Sequence, residues 1–65
     1  MFTYKILFTY LQAGRRVKDM DIAYGDNAQQ AVDQIRNEYF GMEGLEIEVV
    51  FRECMSSWDL VDCWE

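Results

Sequence analysis

From Phe2 to Tyr10 the chain alternates, with Phe2, Tyr4, Ile6, Phe8 and Tyr10 on even positions and Thr3, Lys5, Leu7 and Thr9 on odd ones. Side chains along a strand point to opposite faces in turn, so a period of two in aromatic and β-branched residues dictates a pleated strand with one buried face. The segment that follows, Gln12-Ala13-Gly14, ends in the residue that tolerates a left-handed backbone, which predicts a three-residue hairpin loop. A second alternation returns from Arg16 to Tyr24, with Met20, Ile22 and Tyr24 on one face and Val17, Asp19, Asp21 and Ala23 on the other. With that loop, Ile6 faces Met20 and Tyr4 faces Ile22 in the core, while Lys5 faces Asp21 on the solvent side.

After Gly25, the run Asp26-Asn27-Ala28-Gln29 predicts a helix start, with Asp26 as the cap and Gln29 reaching back to it. Apolar residues at Ala28, Ala31, Val32, Ile35 and Tyr39 form one stripe and carry the helix to about Phe40, where Gly41 supplies the stop. From Leu45 alternation returns, with Leu45, Ile47, Val49 and Phe51 inward and Glu46, Glu48 and Arg52 outward. A strand that returns from a helix after a hairpin lands most simply beside the first strand, antiparallel to it. The expected fold is therefore α+β, ββαβ(β): an antiparallel sheet of order 2-1-3 with one helix on one face. The end of the chain adds an extra strand or a short helix. Trp58, Leu60 and Trp64 alternate as in a strand, yet Ser57 ahead of Trp58-Asp59-Leu60-Val61 also fits a helix cap. The outer face then holds Leu7, Leu11, Val17 and Val50, too apolar for a face left wholly in water.

Sixty-five residues allow one core, so residues 1–65 form a single domain. A domain this small hides only about 60% of the surface of its unfolded chain and leans on disulfides, a metal or a second copy of itself. The chain has no His, and Cys54 and Cys63 are its only soft ligands, which leaves no ordinary four-ligand zinc site within one chain. Gly14, Gly25, Gly41 and Gly44 are scattered at turns rather than gathered into a phosphate loop, so no cofactor is expected. Without a long apolar run, neither a signal peptide nor a membrane span is expected, and the cytoplasm is the expected compartment. There the two thiols, nine residues apart, are expected to be free rather than bridged, with a disulfide as the alternative. Self-association is the support that remains.

The net charge of −6 is unevenly laid out: residues 1–18 carry +4 and residues 19–65 carry −10. An acidic body repels phosphates and attracts basic protein surfaces. Asp19 with Asp21 and Glu46 with Glu48 are carboxylate pairs whose members sit roughly 7 Å apart on a strand. In a 2-1-3 sheet the Lys5 strand separates the pairs, which disfavours a cation site and leaves a solvated face or a contact with a basic partner. Trp58 and Trp64 fit either a lid on the sheet or anchors in such a contact. Arg15, Arg16 and Lys18 at the hairpin tip form the alternative site, for a nucleic acid. With no His as general base, Ser56 and Ser57 read as turn residues, and no catalytic residue is assigned.

The succession Tyr4-Lys5-Ile6-Leu7-Phe8, Gly14-Arg15-Arg16-Val17, Asp21-Ile22, Ala28 to Ile35, Tyr39-Phe40-Gly41-Met42 and Leu45-Glu46-Ile47 resembles the small uncharacterised ββαβ proteins of phages, plasmids and integrative elements, over residues 2–53. The resemblance implies a mobile-element origin and brings no activity or functional residue with it. The function expected is a non-enzymatic protein-interaction module that self-associates, in one version an acidic inhibitor or adaptor whose Asp19, Asp21, Glu46 and Glu48 stand in for phosphates. The alternative is a nucleic-acid-binding protein that uses the basic hairpin tip.

Overall fold

The computed structural model describes residues 1–63, with side chains described through Val61. Its elements are β1 (Phe2–Gln12), β2 (Arg15–Gly25), α1 (Ala28–Glu38), β3 (Glu46–Cys54) and β4 (Ser57–Cys63). The fold is α+β, a single antiparallel sheet with α1 packed on one face. The strands run in the order β2-β1-β3-β4, so the sheet is extended to 2-1-3-4 rather than ending at 2-1-3. The C-terminal segment is a strand because Met55 and Ser56, at φ 53° and 91°, reverse the chain tightly enough to pair Cys54 with Ser57. The Ser57 hydroxyl donates to the Cys54 carbonyl at 3.1 Å and so braces this turn instead of capping a helix.

The first hairpin closes through two residues, not three. Ala13 and Gly14 both take left-handed conformations, φ 53° and 79°, and Gln12 pairs with Arg15. This mirror-image turn matches the right-handed twist of the flanking strands. Shortening the loop by one residue turns β2 over, because a one-residue slip exchanges the two faces of a strand. Tyr4 therefore pairs with Ala23, Ile6 with Asp21 and Lys5 with Ile22, in place of the expected partners. Ala23 is fully buried beneath the helix, whereas Met20 and Tyr24 are each 52% exposed on the far face.

A second departure lies in β3. The register against β1 shifts between Leu7 and Phe8, leaving Glu48 as an extra residue. On either side of this bulge the alternation is out of phase. Ile47 and Val50 both turn towards the helix and are buried, while Val49 and Phe51 turn away from it. The expectation that Ile47, Val49 and Phe51 share one face, with Val50 outside, is corrected accordingly.

The helix begins one residue later than expected. Asn27 is the cap, its side chain accepting from the Gln30 amide at 2.9 Å, and Gln30 Oε1 accepts from the Asp26 amide at 2.8 Å. Asp26 lies 3.4 Å from the terminal ammonium of Met1. The last helical residue is Glu38, with Tyr39 as C-cap, and Gly41 takes the left-handed stop at φ 96°. The predicted stripe is observed: Ala31, Val32 and Ile35 are buried, with Ala28 and Tyr39 packed beside them. They meet Tyr4, Ile6, Phe8, Ala23, Ile47 and Val50 in one core. Among the described residues no helix is long and apolar enough to cross a membrane.

Candidate functional site: the helix-free face of the sheet

The turned-over β2 and the bulged β3 both send apolar side chains to the face that α1 does not cover. In β4, Leu60 pairs with Phe51 and Trp58 with Glu53, which brings both to the same face. The pairing defines levels that run across the sheet. One level holds Ile22, Lys5, Phe51 and Leu60. The level beyond it holds Met20, Leu7 and Val49, and on the other side stand Tyr24 with Thr3 and Glu53 with Trp58. Leu60 on β4 is 59% exposed and Met20 and Tyr24 on β2 are exposed as well, while Leu7, Val49 and Phe51 between them are half-buried. Apolar surface of this extent on a small domain makes this face the candidate site.

Lys5 stands at the middle of the face. Its Nζ lies 5.0 Å from the centre of the Phe51 ring and 5.2 Å from that of Trp58, held by attraction to the two π faces. Neither Lys5 nor Glu53 has an ion-pair partner among the described residues. Towards the hairpin tip the surface becomes polar. Arg16 donates to Thr9 Oγ1 at 3.2 Å and to the Gly44 carbonyl at 2.6 Å, and lies 3.8 Å from Glu46. By register this face carries Lys5, Arg16 and Lys18 against Glu46 and Glu53, so it is close to neutral in a chain of net charge −6.

The four carboxylates expected to form one array are dispersed. Asp19 and Asp21 lie on the helix side, paired with Phe8 and Ile6. Asp21 accepts from the Tyr39 hydroxyl and the Ile22 amide, both at 2.7 Å, and Asp19 Oδ1 accepts from the Met20 amide at 2.8 Å. The Tyr39 hydroxyl, with help from the Ile22 amide and against partial burial, holds the Asp21 carboxyl below its ordinary value. The same bond, with burial and the nearby charges of Asp21, Glu38 and Asp19, pushes Tyr39 up to about 12. Glu46 lies on the helix-free face and pairs with Arg16, and Glu48 is the bulge residue.

The hairpin-tip cations are also divided. Arg15 falls on the helix side with Gln12, while Arg16 and Lys18 fall on the other, and Arg16 is tied to Thr9, Gly44 and Glu46. Of the two tryptophans, Trp58 belongs to the helix-free face, and Trp64 lies outside the described residues. Cys54 is a free thiol. Sequence reasoning missed Met20, Ile22, Tyr24, Val49, Phe51 and Leu60 as members of the face. The signal available was the composition of β2, whose two sides are both partly apolar and whose loop can be counted as two residues or three.

No protein-family model, curated protein or solved structure matches the chain.

Proposed function

We propose that this chain is a non-enzymatic protein-interaction module whose binding surface is the helix-free face of its sheet. One observation carries the reading: β2 gives the uncovered face Met20, Ile22 and Tyr24 while it reserves Ala23 and Asp21 for the helix side, and β3 adds Val49 and Phe51. A strand that presents its more apolar side away from its own core has a second core to complete. Trp58 adds an aromatic anchor of the kind enriched where interfaces concentrate their energy. The near-neutral charge of this face lets it approach another protein without the repulsion that the rest of the chain generates.

A photoreactive residue placed at Leu60 tests the reading, since that side chain stands on the face without being needed to fold the domain. Irradiation of cells expressing the variant is expected to give discrete adducts with protein, lost when Met20 and Tyr24 are changed to Lys. Absence of any protein adduct, in cells and with the purified chain, would sink the reading.

A further inference from the structure

Resting on that reading, we propose that the occupant of the helix-free face is a second copy of this chain, stacked sheet on sheet about a two-fold axis that runs along the strands. A two-fold axis relating facing layers lies in the interface, and one parallel to the strands sets β1 over β3 of the partner and β2 over its β4. Levels are preserved by that rotation. Leu7 then stands against Val49 of the partner subunit, Ile22 against the partner's Leu60, and Tyr24 against the partner's Trp58, so each of these levels carries an apolar pair, while Lys5 lies over the partner's Phe51.

The same operation answers Lys5 and Glu53, two charges of this face without an ion-pair partner among the described residues. Glu53 of the partner subunit comes to rest over Thr3, one level along the strand from Lys5. Two-fold symmetry makes this contact twice, each Lys5 reaching the other copy's Glu53. A face with its cation on β1 and its anion on β3 is self-complementary under this rotation. A rotation about an axis across the strands would set β1 over β1 and offer no such match. Net charge selects the same surface. Two chains of −6 repel, and the helix-free face, with three cations against two anions by register, is where that repulsion is least.

The available area is sufficient. The molecule measures 38 Å along its longest axis and 19 Å along the next, so a face bounded by these two axes offers at most on the order of 700 Å² per copy, inside the roughly 600–1,000 Å² per partner of standard-size interfaces. Apolar side chains surround Lys5 at the centre, and Arg16, Lys18 and Glu46 form a polar margin.

Sedimentation equilibrium of the purified full chain, with circular dichroism to show that each variant is folded, tests the arrangement. The parent chain is expected to sediment with twice the chain mass. Lys5→Glu and Glu53→Lys, each placing like charges together twice per dimer, are expected to weaken dimerisation at least 10-fold. The combined variant is expected to regain most of the loss. A parent chain that stays monomeric at millimolar concentration overturns the dimer. So does a dimer indifferent to both single reversals, or one that the combined variant weakens further than either. The Leu60 photoadduct separates this failure from that of the broader reading: adducts only with other proteins leave the interaction surface standing without the second copy, and adducts of the chain with itself support both.

Discussion

The Tyr39 hydroxyl donates to Asp21 Oδ2 at 2.7 Å and ties the C-terminal end of the helix to an edge strand. The contact exists only because the two-residue turn brings Asp21 to the helix side.

The bond predicts how stability varies with pH. Asp21 is lowered in the folded chain from an ordinary value of 3.8, so its contribution is fully present above that value and is lost as pH falls through the lower folded one. Tyr39 is raised from 10.0 to about 12, so its contribution is fully present below 10 and is lost as pH rises towards 12. Urea unfolding at stepped pH should show a plateau with both flanks falling. Tyr39→Phe should lower the plateau by about 1 kcal/mol, the usual net value of one hydrogen bond, and flatten both flanks. Flanks of unchanged slope in that variant would refute the assignment.

The first hairpin offers a stabilising change. Ala13 sits at φ 53°, where a residue with a side chain is disfavoured and Asn or Gly is preferred. Ala13→Asn should raise stability by roughly 0.5–1 kcal/mol, and Gly14→Ala should lower it by about 1 kcal/mol. Thermal melts of both variants at one protein concentration provide the check.

Gly25 marks the closest approach of strand to helix. A Cβ there would stand 2.8 Å from Gln30 Cβ and 3.2 Å from the Ala31 amide nitrogen. Gly25→Ala should therefore displace the first turn of α1 and destabilise the chain by about 1–3 kcal/mol, the range for overpacking. Full stability in the alanine variant, measured by denaturant titration, would show that the contact is looser than described.

Neighbouring valines distinguish the two faces of β3. Val50 is wholly buried under the helix, and Val49 is only half-buried on the far side. Val50→Ala should cost about 1–3 kcal/mol at every protein concentration, as loss of a core side chain does. Val49→Ala should cost less than about 1 kcal/mol at high dilution and more as concentration rises, because the proposed dimer would bury it further. Equal losses at all concentrations would place both residues in one core.

The elements were legible in the sequence, and their faces were not. The alternation of Phe2 to Tyr10 and the stripe from Ala28 to Tyr39 each carry a period strong enough to name a strand and a helix, and Tyr4, Ile6, Phe8, Val32 and Ile35 occupy the core as expected. The face of β2 depends on a single residue of loop length. Judged by apolarity alone, Met20, Ile22 and Tyr24 outweigh Ala23 and Asp21 as core residues. The helix reverses that choice, because its close approach at Gly25 suits a small residue such as Ala23, and because Tyr39 satisfies Asp21. In β3, unbroken alternation through Glu48 was the simplest reading, and an inserted residue leaves no compositional trace when both phases are apolar. The carboxylate array failed with these two registers. Trp58 was identified from residue type, and its companions on the face were hidden by the same two shifts.

A bulge at Glu48 lets one strand serve two masters. Upstream and downstream of it the pleat is rephased, so β3 lends Ile47 and Val50 to the layer beneath and Val49 and Phe51 to whatever lies above. Drawing Glu48 into the ladder as a paired residue would put Ile47, Val49 and Phe51 on one face and Val50 on the other, and the strand could then satisfy one side of the sheet but not both.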